Sequence, residues 1–232
     1  MKLLAIDTTL ETCSVAVLLD DALAAHRSAQ IGRGHAEALM PMIGVVLAEA
    51  GAGYGDLDAV AVTTGPGSFT GQRVGLSAAR GIGLARSIPV KGVTTLSAIA
   101  FGLIADDLVQ DGEDILVALD ARRNEVYIQH FPAPFGWPCI ESRPAAIPIE
   151  DLGSLRHGDK CVVVGTGAGL VREATSEQTV GLRYLAAPGE ADARHVGALA
   201  MAEIAATGLP TTPPAPLYLR APDAKLPGGK SP

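Results

Sequence analysis

Three stretches hold residues whose types and spacing could carry chemistry. The first is "AIDTT", where Asp7 ends an apolar run and Thr8 and Thr9 follow. A carboxylate at a strand end can hold a divalent cation through water, and the hydroxyls and amides of the next turn can face a phosphate. The same residues also make an ordinary hairpin turn, so Asp7, Thr8 and Thr9 are a weak candidate for a vestigial phosphate turn. The second is "TGPGSFTGQR". A P-loop needs Lys beside Ser or Thr after its last glycine, whereas Gln72 and Arg73 stand there. A tight turn through Gly65, Pro66 and Gly67, with Ser68 or Thr70 capping a helix, is the simpler reading. The third is "VVGTGAG", which could touch an adenosine but reads more simply as a strand-to-helix connection.

No nucleophile or metal set emerges. The histidines, His26, His35, His130, His157 and His195, sit in no hydrolase motif. The cysteines, Cys13, Cys139 and Cys161, lack CxxC spacing. We expect no catalytic residue, no metal ligand and no cofactor. The 232 residues carry 18 Lys plus Arg against 25 Asp plus Glu, a net charge of −7 that gives no broad attraction to phosphate backbones or anionic lipid. If nucleic acid is involved, another subunit should supply most of the basic surface. The N-terminus lacks the form of a signal peptide, and no apolar run approaches the roughly 18 to 20 residues that span a bilayer, so a cytoplasmic protein without a membrane partner is expected.

The elements that must position these residues follow from periodicity. "KLLAID", "CSVAVLL" and "ALAAHRSAQ" read as an antiparallel start, the third strand wetter than the others. From His35 to Ala50, apolar residues at Ala36, Leu39, Met40, Ile43, Val46, Leu47 and Ala50 make a core stripe. "LDAVAVTT" leads through the glycine loop into a helix from about Thr70 to Arg86. "PVKGVTT" and a helix from Leu96 follow. "ILVALDARRNEVYIQHF" then repeats the plan of "LLAIDTTLETCSVAVLL": apolar strand, Asp at its end, short turn, second strand. "DARHVGALAMAEIAATG" is an Asp-started, Gly-ended helix, and a Pro-rich tail closes the chain, its last ten residues expected to be disordered.

Two helices suggest an interface. After the glycine loop, Gly71, Gly75, Ala79 and Gly83 recur every four residues as a side-chain-poor ridge, with Val74, Ala78, Ile82 and Ala85 as the neighbouring core stripe. Glycine costs roughly 1 kcal/mol per helix position relative to alanine, so a close backbone contact should compensate. Intramolecular packing and a subunit interface are equally open. The preceding helix carries Ala38, Met42 and Val45 outside its core stripe, where a surface helix is normally charged. Ala38, Met42, Val45, Gly71, Arg73, Gly75, Ala79 and Gly83 are the expected interface residues.

"LLAIDTT", "GHAEALMPMI", "TTGPGSFTGQRVGLSAARGIGLA", "IPVKGVTTLSAIA", "ALDARRNEVY" and "PLYLR" together resemble the TsaB (YeaZ) family over nearly the whole chain. The resemblance implies an α/β, actin-like ATPase (ribonuclease H-like) fold of two duplicated lobes with mixed sheets flanked by helices, residues 1–106 and 107–232. It implies a noncatalytic role in making threonylcarbamoyladenosine beside the anticodon, as partner of the larger catalytic paralogue TsaD and with the ATPase TsaE. The isolated chain could also form a homodimer. Two departures are small: Gln72 where the family often has an aliphatic residue, and Ala36 where it has Ser. The catalytic paralogue's HxxxH metal motif would fall on Thr95 and Ile99, neither of which replaces an imidazole. The competing expectations are a free-standing actin-like ATPase or small-molecule kinase, and a metallopeptidase.

Overall fold

The computed structural model describes residues 1–137, 142–154, 158–175, 181–186 and 189–220. Cys139, His157 and the tail beyond residue 220 lie outside them. The first lobe runs β1 (Lys2–Asp7), β2 (Thr12–Leu19), β3 (Ala22–Gln30), α1 (His35–Glu49), β4 (Ala59–Thr63), α2 (Phe69–Arg86), β5 (Val90–Val93) and α3 (Thr95–Ala105). The second runs β6 (Asp114–Arg122), β7 (Glu125–Phe131), β8 (Ala145–Pro148), β9 (Cys161–Val164), α4 (Ala168–Ala174) and β10 (Leu182–Tyr184), followed by α5 (Ala193–Thr207). The sheet orders are β3-β2-β1-β4-β5 and β8-β7-β6-β9-β10. In each, the first two pairings are antiparallel and the last two parallel. The internal repeat read from two hairpins thus extends to a whole five-stranded plan.

Alternation along β1 sends its two faces to two cores. Leu4 and Ile6 join Val15, Val17, Leu39, Ile43, Val46, Leu76 and Ile82 under α1 and α2. Leu3 and Ala5 join Ala16, Leu18, Leu96, Ile99, Val196 and Leu199 under α3 and α5, and this core continues into Ile115, Val117 and Phe131 of the second sheet. Helices on both faces explain why β1 and β4 read as continuous apolar runs, while the edge strand β3 is mostly exposed.

The chain boundary between lobes is not a spatial one for the last segment. The turn after α3 does separate the two sheets, but α5 packs back on β1 and β2 of the first. At Gly197 that approach is so close that a Cβ would lie 2.3 Å from the Leu18 side chain. The tail returns to the first lobe as well, where the Leu217 amide donates to the Thr64 carbonyl at 2.8 Å. Among the described residues, no helix is long and apolar enough to cross a membrane.

Two helix faces need correction. In α1, Leu39, Ile43, Val46 and Leu47 are buried as expected, but Ala36 and Met40 of the expected core stripe are exposed. In α2 the buried residues are Gly71, Gln72, Gly75, Leu76, Ala79, Ile82 and Gly83, whereas Val74 and Ala78 are only half-buried and Ala85 is exposed. The small-residue ridge is therefore on the sheet side. Volume decides this: without side chains, α2 settles directly onto the strand ends.

Candidate functional site

The Asp7 turn lies where β1, β4 and the starts of α2 and α3 converge. Asp7, Thr8 and Thr9 are at most 1% exposed. Asp7 Oδ1 accepts from Thr63 Oγ1 at 2.6 Å, Thr9 Oγ1 at 2.7 Å and the Thr9 amide at 3.3 Å. Thr95 Oγ1 extends the cluster by donating to Thr9 Oγ1 at 3.2 Å. Asp7 Oδ2 is buried and has no partner. Burial raises the Asp7 carboxyl to about 6, against the hydrogen bonds from Thr63 and Thr9 that favour its charged form.

The expected phosphate turn is closed, because α2 occupies the space in front of it. Thr8 Oγ1 donates to the Gly71 carbonyl at 2.7 Å, and the Ser68 amide donates to the Thr9 carbonyl at 2.7 Å. A Cβ at Gly71 would stand 2.1 Å from the Thr8 oxygen, one at Gly75 2.6 Å from Thr8 Oγ1, and one at Gly83 2.5 Å from Val90 Cγ2. Gly71, Gly75, Ala79 and Gly83 are thus taken up inside the chain, a correction to their expected place at a subunit interface. Glycine's helix penalty is offset by this backbone approach. Ser68 caps α2 as one of the two candidates, its Oγ accepting from the Gly71 amide at 3.3 Å. Gln72, missed by sequence reasoning, folds back over the loop and donates from Nε2 to the Gly67 carbonyl at 3.0 Å.

The second lobe repeats this closure in part. Gly165 and Gly167 of "VVGTGAG" press on the end of β6, where a Cβ at Gly165 would lie 2.2 Å from the Ala118 oxygen. Thr166 Oγ1 accepts from the Asp120 amide at 3.1 Å. The turn is a strand-to-helix connection, the simpler of its two readings. Asp120 is engaged by its own neighbour, accepting from the Arg122 amide at 2.7 Å and from its guanidinium at 3.0 Å. The positions expected to matter to a metal in a catalytic relative are buried here too, Thr95 at 0% and Ile99 at 1% exposure.

What the first lobe leaves open is the outer side of α1 and α2. Between Glu37 and Glu49 the exposed residues of α1 are Met40, Pro41, Gly44, Val45 and Ala48, none charged. Met40 is 46% exposed, Val45 47%, and Leu84 on α2 83%. Of the expected interface residues, Val45 and Arg73 are exposed and Ala38 and Met42 half-buried. α2 contributes Arg73, Ser77, Arg80, Gly81, Leu84 and Arg86 to the surface and carries no acidic residue.

Twinned five-stranded sheets joined by one core, with Asp7 at the end of β1, Asp120 near the end of β6 and a glycine turn after β4 and after β9, define the duplicated actin-like class. Comparison with known proteins narrows this. A family model described as TsaD, tRNA N6-adenosine threonylcarbamoyltransferase, matches residues 27–133. The tRNA threonylcarbamoyladenosine biosynthesis protein TsaB of Haemophilus influenzae is 34% identical over 190 residues, covering 78% of each chain. Its Escherichia coli counterpart is 39% identical over 127 residues, covering 55% of this chain and 53% of that protein. The solved structure of YeaZ from Pseudomonas aeruginosa superposes with a TM-score of 0.79 at 30% identity, over 94% of this chain and 99% of that one. The chain belongs to the TsaB (YeaZ) family.

Proposed function

We propose that this chain is the noncatalytic subunit of a complex that makes threonylcarbamoyladenosine on tRNA, docking through the outer face of α1 and α2 onto a TsaD-type catalytic paralogue. The paralogue transfers a threonylcarbamoyl group from its adenylate to the N6 of adenosine beside the anticodon, in tRNAs that read codons beginning with A. A TsaE-type ATPase completes the set and resets the complex, and tRNA is met through the assembly. The observation that carries this reading is the uncharged outer face of α1, where Met40, Pro41, Gly44, Val45 and Ala48 stand in water. Burying such side chains is worth about 25 cal/mol per Å², less the costs of association. The closed Asp7 turn supports a docking role over a free-standing kinase, since Thr8 and Thr9 are buried beneath the start of α2.

The test is co-purification with the catalytic paralogue, followed by a modification assay on tRNA. Met40→Glu with Val45→Glu places two charges on exposed positions and spares the half-buried Met42. We expect a folded monomer that no longer binds the paralogue, and modification that needs wild-type chain while none arises from that chain alone. Threonylcarbamoyl transfer by the isolated chain, or unchanged binding by the double variant, would refute the proposal.

A further inference from the structure

The Pro-rich tail performs a task that neither its composition nor the docking role explains. Residues 209–220 leave α5 and run along the flank of α2. Pro214 sits against Gly92, whose Cβ would lie 2.5 Å from the proline ring, and the Pro214 carbonyl accepts from Arg80 Nε at 3.1 Å. The bond from the Leu217 amide to the Thr64 carbonyl fixes the next residue, Tyr218. Beyond it, Arg220 Nη1 reaches Glu125 of the second lobe at 2.8 Å. Tyr218 is thus pinned on both sides.

At that spot Tyr218 holds Arg73. Arg73 Nε donates to the Tyr218 hydroxyl at 3.2 Å, and its guanidinium carbon lies 3.7 Å from the centroid of the Phe69 ring. The Phe69 and Tyr218 rings are 5.7 Å apart, and both stay in solvent, 54% and 43% exposed. Arg80 is spent on Pro214 and Arg86 on the Gly55 carbonyl. Arg73 differs: among the described residues it has no ion pair, and its terminal nitrogens donate no hydrogen bond. A planar fork stacked on one ring and held by another is fixed before any partner arrives, which reduces the ordering cost of using it.

We propose that Arg73, oriented by Phe69 and Tyr218, is the charged anchor of the docking face and takes a carboxylate of the partner protein in a two-point contact. This rests on the docking reading above. Charge complementarity selects the occupant. The chain has a net charge of −7, yet α2 has three arginines and no acid, and α1 exposes no charge between Glu37 and Glu49. An Asp or Glu on the partner would meet one prearranged cation beside the exposed Phe69 and Tyr218 rings, where pairing sets register as well as affinity. Tyr218 is a positioning residue, recruited to the interface from 145 positions along the chain.

The experiment measures the dissociation constant of the full chain for the purified catalytic paralogue at several salt concentrations, with melting temperature as a fold control. Arg73→Lys keeps the charge and loses the fork; Tyr218→Phe keeps the ring and loses the acceptor. We expect Arg73→Lys to weaken binding about tenfold and Tyr218→Phe about threefold, with unchanged melting. Arg73→Gln should also flatten the loss of affinity between roughly 50 and 300 mM salt, a readout that packing alone would not move. Binding unchanged in all three while Met40→Glu with Val45→Glu abolishes it would overturn the anchor and leave the docking reading intact. If the double variant binds normally too, the docking reading itself has failed. Arg73 variants that bind the paralogue normally but make the complex lose tRNA would reassign the anion to phosphate and overturn the proposal.

Discussion

The two lobes share one sheet plan and one way of closing it, but use the space beyond differently. In both, a glycine at φ +107 follows a strand, Gly65 two residues past β4 and Gly165 directly after β9, and a second glycine two positions on, Gly67 or Gly167, lets the turn press on the end of the first strand. In the first lobe the turn opens α2, an 18-residue helix whose outer side carries Arg73, Arg80, Leu84 and Arg86; in the second it opens α4, only 7 residues long. The hairpins diverge as well. The Asp7 turn is buried, whereas the β6–β7 turn puts Arg122, Arg123 and Asn124 at positive φ, with the Arg122 side chain 79% exposed. Duplicated architecture therefore does not entail duplicated function. Closure over the strand ends is common to both, and the length and outer face of the helix that closes them differ.

The largest effects should come from breaking that closure. Gly71→Ala and Gly165→Ala each place a Cβ within 2.2 Å of a backbone oxygen, which denaturant unfolding should register as a loss of about 3 kcal/mol or more in either lobe. A loss confined to one lobe would mean that the glycines are equivalent in sequence but not in packing.

Asp7 sharpens the contrast by its pH dependence. Because burial raises its folded-state pKa from the ordinary 3.8 to about 6, the folded chain holds a proton that the unfolded chain releases. Its contribution is thus most favourable below about pH 4 and declines as pH climbs to about 6. Above that, the ionised form costs about 3 kcal/mol. Asp7→Asn should recover up to about that amount near pH 8 and flatten this part of the stability profile in chemical melts across pH.

Smaller effects mark positions that nothing presses upon. Gly81 is exposed in the middle of α2, with no atom within 4 Å of a Cβ built on it, so Gly81→Ala should stabilise by about 1 kcal/mol in thermal melts. That gain, set against the loss at Gly71, tests which side of α2 faces the sheet. Arg122→Ala removes a surface pair and should change stability by less than about 0.5 kcal/mol, as measured by denaturant midpoint.

Much of this was legible before folding. "KLLAID", "CSVAVLL" and "LDAVAVTT" read as strands and are strands, and the Asp-started, Gly-ended α5 carries its own boundaries, with Asp192 accepting from the Arg194 amide at 2.8 Å and Gly208 as cap. The short strands β8 and β10 were not legible, and α4 only as the helix that a strand-to-helix turn implies, since three or four strand residues or about two helical turns cannot establish a period. The candidate site was half legible. Periodicity singled out α1 and α2 as helices with unusual faces, but it cannot tell a ridge that meets a sheet from one that meets another molecule, because both demand small residues. Met40 falls on the inward stripe of the sequence yet is exposed for a related reason: a stripe read at 100° per residue has soft edges, and one position of error carries a side chain from core to water.

The order of apolar runs, the punctuating glycines and the repeat of strand, Asp and turn are local quantities, so the sequence by itself determined the longer strands and helices. Direction and proximity are not local. Only the tertiary structure decided that the glycine ridge of α2 closes the Asp7 turn, that α5 crosses back to the first sheet, and that Tyr218 comes to rest on Arg73. Each depends on how volumes far apart in the chain fill one space, which no window of residues contains.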